Sequence, residues 1–128
     1  MIDRLLTFVT PVSTEHRTLV KRCAVSIRAQ SVPCEHIVVY DTDGRGPGWA
    51  RNRGLEQVRT EFVSFIDADD FIDPEFAEIT LAAFNVHGGK FIIYTDWIEL
   101  GGERVNAPDC AWTVPDGITD PRAVPSAH

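Results

Sequence analysis

Short apolar runs alternate along the chain with amphipathic stretches. Residues 5–9 are apolar apart from Thr7 and are stopped by Pro11, a run too short for a helix that predicts a buried strand. Ser13 or Thr14 can cap the helix that follows. In it Leu19, Val20, Cys23, Ala24 and Ile27 recur at helical spacing, with Glu15, Arg17, Lys21, Arg22 and Arg28 mostly on the other side, and the helix should end near Gln30, before Pro33. Residues 37–40 form a second strand, bounded by a polar, Gly-containing stretch at 41–48. A helix is predicted over 49–58, with Ala50, Leu55 and Val58 on one face. Residues 62–66 are a third strand, in which Phe62, Val63, Phe65 and Ile66 should be buried. A helix from 74 to about 84 follows, with Pro74 in its first turn and Asp73 as its cap. Residues 91–94 are a fourth strand. Beyond Trp97, Gly101-Gly102 separates Ile98-Glu99-Leu100 from Glu103-Arg104-Val105, which predicts a hairpin. Strands alternating with helices build a mostly parallel sheet covered by helices, so the expected class is α/β.

Composition narrows the class. The 128 residues are enough for one domain, and 44% hydrophobic with 24% charged residues is the balance of an ordinary globular chain. A net charge of −7 repels phosphate backbones, so nucleic acid is not an expected partner. No apolar stretch approaches the ~18 residues of a membrane span, and residues 1–11 lack a signal-like pattern, so the expectation is a cytoplasmic protein without a transmembrane segment. Cys23, Cys34 and Cys110 show no C-x-x-C spacing and read as small reduced core residues. His16, His36, His87 and His128 are scattered and read as surface or structural. From Asn106 onward prolines crowd among small and polar residues, giving an expected domain at 1–106 and a Pro-rich extension at 107–128.

In an open α/β sheet, ligands bind beyond the carboxyl ends of the strands. The residues there are Thr10-Pro11, Asp41, Asp67-Ala68-Asp69-Asp70 and Thr95-Asp96. Asp67, Asp69 and Asp70 fall within four positions directly after an apolar run. Like charges that close raise one another's pKa unless a cation compensates, and Mg²⁺ or Mn²⁺ takes such oxygen ligands together with substrate phosphates. The cluster therefore points to a metal-bridged phosphate ligand. Gly44-Arg45-Gly46-Pro47-Gly48 lacks both G-x-G-x-x-G and G-x-x-x-x-G-K-[ST], which argues against a Rossmann site and a P-loop. Arg45, Arg51 and Arg53 supply local positive charge in an otherwise acidic chain. No G-x-S-x-G elbow or Cys–His arrangement supports a hydrolase nucleophile.

Taken in order, these residues resemble the family 2 glycosyltransferases, whose nucleotide-sugar-binding half has a GT-A fold. The resemblance runs from about Leu6 to Trp97. It is carried by Phe8-Val9-Thr10-Pro11-Val12, by Ser26-Ile27-Arg28-Ala29-Gln30-Ser31, and by Ile37-Val38-Val39-Tyr40-Asp41, where the family often has two acidic residues. Gly48-Trp49-Ala50-Arg51-Asn52-Arg53-Gly54 is similar to the A-R-N-x-G signature, and Phe65-Ile66-Asp67-Ala68-Asp69-Asp70 followed by Asp73-Pro74 is similar to the D-x-D metal motif in its usual surroundings. The resemblance implies that Thr10, Pro11, Val12, Asp41, Arg51, Asn52 and Asp69 bind the nucleotide-sugar. Pro11 and Asp41 would meet the nucleoside, and Asp69 the ribose. Asp70 would hold the metal that bridges the diphosphate, with Asp67 and Asp69 completing the cluster.

The implied activity is metal-dependent transfer, with inversion, of a sugar from a UDP- or GDP-sugar to a saccharide, lipid or protein acceptor. Family members normally continue into an acceptor half whose acidic motif supplies a base. No such segment follows Trp112, and Asp96 is the weak candidate among the remaining carboxylates. The chain thus reads as a minimal or truncated member. Two alternatives stay open, a catalytically incomplete nucleotide-sugar-binding module and a metal-dependent phosphohydrolase or nucleotidyltransferase. A second copy of the chain is a candidate to cover an unfinished side of the sheet.

Overall fold

The computed structural model describes residues 4–87 and four short strands, Phe91–Ile92, Trp97–Ile98, Arg104–Val105 and Trp112–Thr113. The chain forms two compact units, Met1–Leu81 and Ala82–His128. In the first, β1 (Leu6–Ser13), β2 (Glu35–Asp41) and β3 (Phe62–Phe65) make a wholly parallel sheet in the order β2-β1-β3. The helices are α1 (Val20–Arg28), α2 (Pro47–Leu55) and α3 (Phe76–His87). This is the α/β architecture the alternation predicts.

Alternation along β1 sorts the packing. Leu6 and Phe8 face one side, where they join Cys23 and Ile27 of α1, Ile66 and Ala77 in a buried cluster. Phe8 also meets Phe76 at 6.0 Å between ring centroids. Val9 faces the other side, where α2 packs through Ala50 and Gly54. A Cβ built on Gly54 would overlap Val9 Cγ1 and touch Val39 Cγ2, so glycine is what lets this helix approach the sheet.

Several elements differ from expectation. Pro11 does not end β1, which continues to Ser13. Val9 O accepts from Ile66 N, so odd-numbered residues of β1 turn their backbone groups toward β3; β3 pairs no further than Phe65 with Val9, and Pro11 therefore removes no bond from the ladder. No continuous helix starts at Ser13 or Thr14. A 3₁₀ turn (Thr14–His16) comes first and Ser13 Oγ bonds His16 Nδ1 at 2.9 Å, so neither hydroxyl caps α1. Phe65, expected inside, is 41% exposed because β3 is an edge strand of the three-stranded sheet. Of the predicted fourth strand the structure describes β4 (Phe91–Ile92), which pairs antiparallel with β7 (Trp112–Thr113). The expected hairpin is present as β5 (Trp97–Ile98) against β6 (Arg104–Val105).

The buried hydroxyls of β1 have partners. Thr10 Oγ1 lies 2.8 Å from His36 Nε2 and 3.7 Å from the buried Cys23 sulfur, and Thr7 bonds Thr60 at 2.6 Å. His36 is thus structural, as read from its isolation in the sequence. Burial, and then Arg28, hold its pKa below the ordinary value. The folded chain then binds that proton less readily than the unfolded chain, so stability is lost as pH falls through about 6.5 toward the folded value. The melting temperature is expected to drop between pH 8 and 5.5, and to drop less in His36→Gln. Equal slopes for the two proteins would remove His36 from the account.

Candidate functional site

In a sheet ordered β2-β1-β3, the chain leaves β1 toward β2 on one side and later places β3 on the other. The strand ends of β1 and β3 therefore flank a topological switch point, where open α/β sheets form a crevice. At that edge Ser13 pairs with Asp41, and Asp67 follows two positions after Phe65, the partner of Val9. Side chains alternate as β3 runs out: Ile66 and Ala68 are buried, whereas Asp67, Asp69 and Asp70 are exposed. The three carboxylates offer oxygens that all lie within 4.8 Å of one another.

Their mutual repulsion is visible in Asp70. Burial first, then Asp69 and Asp67, raise its carboxyl above the ordinary value, and Arg22 partly offsets them. A divalent cation would reverse that strain, and three hard oxygen donors at this separation fit Mg²⁺ or Mn²⁺.

Arg51, on α2, reaches across to Asp67 with Nη2 2.9 Å from Oδ1. Its Nε is buried and has no hydrogen-bond partner among the described residues, so it is a donor still open to a ligand. Asn52, beside it on the same helix, is half-buried. Arg53 points elsewhere, to Glu56 at 3.3 Å. Asp41 is 7% exposed, and both its carboxylate oxygens accept backbone N–H groups, from Arg45 at 2.8 Å and Gly46 at 2.7 Å. It shapes the glycine loop, where Gly44 and Gly46 take φ of 68° and 100°, values that favour glycine. Thr10, Pro11 and Val12 are buried, with the Thr10 hydroxyl committed to His36, so their contribution to a ligand would come from the end of the strand as a whole. Asp96 lies outside the described residues.

The arrangement thus brings Asp67, Asp69, Asp70 and Arg51 together beyond the end of β3, beside β1. A family model, glycosyl transferase family 2, matches residues 29–108, well over half of the chain. The chain belongs to glycosyl transferase family 2.

Among curated family 2 relatives, EpsH of Bacillus subtilis (strain 168), named as a glycosyltransferase, is 45% identical over 40 residues, 31% of this chain and 12% of EpsH. The poly(ribitol-phosphate) beta-N-acetylglucosaminyltransferase TarS of Staphylococcus aureus is 36% identical over 53 residues, 41% of this chain and 9% of TarS. The matches thus span about a tenth of those relatives. The crystal structure of S. aureus TarS 1-349 in complex with UDP-GlcNAc superposes with a TM-score of 0.68 at 22% identity, over 80% of this chain and 37% of TarS 1-349. The fold is therefore the GT-A fold of the family, as the motif order implies. Among the described residues no helix is long and apolar enough to cross a membrane.

Sequence reasoning missed the contacts that α1 and the residues just past it make with the segment after β3. Arg22 donates to the Asp69 carbonyl at 3.5 Å, Ser26 Oγ accepts from Ile72 N at 3.2 Å, and Gln30 bonds Asp73 O and Ala77 N, each at 2.8 Å. A four-residue spacing of polar groups was the available signal; of the three, only Arg22 is placed by the pattern on the polar side of the helix, and Ser26 and Gln30 stand in the motif without a role.

Proposed function

We propose that this chain is the donor-binding domain of a metal-dependent glycosyltransferase, taking a nucleoside-diphosphate sugar at the carboxyl edge of β1, β2 and β3. The observation that carries this reading is the Asp67, Asp69 and Asp70 cluster at the switch point of a family 2 fold, with Arg51 paired across it. Two TarS structures that superpose over 80% of this chain hold UDP and UDP-GlcNAc, which makes a UDP-sugar the first donor to test and a GDP-sugar the second.

In this reading Asp70, Asp69 and Asp67 hold Mn²⁺ or Mg²⁺, which supplies Lewis acidity to a departing diphosphate. The protein's own residues do the rest. Asp69 meets the ribose, and Asp41 and Pro11 the nucleoside, with Thr10 and Val12 fixing the strand end. Arg51, with Asn52 beside it, offers its guanidinium to the diphosphate, where developing negative charge is stabilised by a positioned donor. Transfer proceeds with inversion to an acceptor hydroxyl on a saccharide, lipid or protein. We assign the donor domain to residues 1–106 and a Pro-rich extension to 107–128.

Calorimetric titration of UDP, GDP and UDP-GlcNAc, each with and without Mn²⁺, tests the assignment. Binding of one nucleotide that strengthens with Mn²⁺ is expected. Absence of binding to all three in the presence of metal would contradict it.

A further inference from the structure

Arg22 and Ser26 on one face of α1, and Gln30 just past its end, stand four residues apart, and together they hold the segment from Asp69 to Ala77. Their contacts run in order, from the Asp69 carbonyl through Ile72 N to Asp73 O and Ala77 N. Arg22 is exposed, yet its guanidinium lies 4.5 Å from the Phe71 ring centroid, and Phe71 is itself 51% exposed. The loop is therefore pinned by a cation within reach of the carboxylates.

Charge gives that cation a second consequence. Asp67, Asp69 and Asp70 contribute three negative charges, while Arg51 and Arg22 approach from α2 and α1 with two positive ones. The balance of one negative charge is small against a divalent ion. A diphosphate arriving with the ion supplies the missing negative charge, and Arg22 then faces an anion instead of a bare cation.

We propose that Arg22 is a positioning residue that makes divalent-cation binding at the Asp67–Asp70 loop conditional on a diphosphate, opposing the ion alone and favouring the ion with its anionic ligand. This rests on the donor-site reading above.

Free Mn²⁺ measured by electron paramagnetic resonance, with the full chain and with UDP as the diphosphate, tests it. Without UDP, Arg22→Gln should bind Mn²⁺ about three- to tenfold more tightly than the parent, the scale of one screened charge nearby. The tightening of Mn²⁺ binding that UDP produces should shrink by a similar factor, and Arg22→Lys should keep the parent's behaviour. Arg22 is exposed, so the core is untouched by either change. If Arg22→Gln shifts hydrogen exchange at 69–73 while both Mn²⁺ affinities stay unchanged, Arg22 only packs on Phe71 and the proposal is overturned. Weaker Mn²⁺ binding by Arg22→Gln, with UDP and without it, overturns it as well. A parent chain that ignores Mn²⁺ even with UDP present defeats the donor-site reading itself, an outcome distinct from the other two.

Discussion

Asp70→Asn is expected to abolish metal-dependent nucleotide binding and to leave the fold at least as stable as before. Residues that merely orient metal ligands typically cost about 10–100-fold in affinity when replaced, so loss of a ligand should reach or exceed the upper figure. Stability should move the other way. The Asp70 carboxyl is raised by burial and by Asp69 and Asp67, so its ionised form is disfavoured in the folded chain. With the folded value above the unfolded one, the charged carboxylate weakens the fold at neutral pH, and that penalty is relieved as pH falls through the folded value. Asparagine carries no such penalty. Calorimetry with UDP and Mn²⁺, beside a melting curve at pH 7, separates the two effects. A variant that keeps Mn²⁺-dependent UDP binding would remove Asp70 from the metal site, and one that melts well below the parent would show a structural role instead.

Gly54→Ala should have the largest effect on stability. The added methyl would be driven into Val9 Cγ1 and against Val39 Cγ2, both on the face of the sheet that α2 covers. Overpacking of this kind costs about 1–3 kcal/mol, and the helix cannot retreat without losing Ala50, which is fully buried beside it. At about 4–8 °C per kcal/mol for a small domain, the melting temperature should fall by roughly 10 °C. The same shift would carry Arg51, on the same helix, away from Asp67, so nucleotide binding should weaken as well. Unchanged melting would mean that α2 stands further from the sheet than these contacts require.

The fold was legible because its signals are local. Apolar runs at 5–9, 37–40 and 62–66 each became a strand of the parallel sheet, and Cys23 and Ile27 at helical spacing became the buried face of α1. Boundaries failed where long-range geometry decides them. Pro11 looks like a stop in sequence, and only the short reach of β3 makes it harmless inside a central strand. Ser13 has the chemistry of a cap but spends its hydroxyl on His16. The acidic cluster was readable because carboxylates so close in sequence remain close in space. Arg51 with Asp67, and Arg22 with Asp69, are separated by 16 and 47 positions, and no local pattern joins them. The pairing of β4 with β7 was invisible for the same reason, since two-residue strands carry almost no periodicity.

The central claim is that a nucleoside diphosphate and a divalent ion share the carboxyl edge of β1, β2 and β3. Amide resonances of the ¹⁵N-labelled chain, recorded with UDP and then with trace Mn²⁺, test it most directly. The account predicts UDP-induced shifts at Thr10, Val12, Asp41, Arg51 and Asn52, followed by Mn²⁺ broadening that is strongest at Asp67, Asp69 and Asp70. Shifts confined to other residues, or Mn²⁺ broadening that spares the Asp67–Asp70 loop, would contradict it.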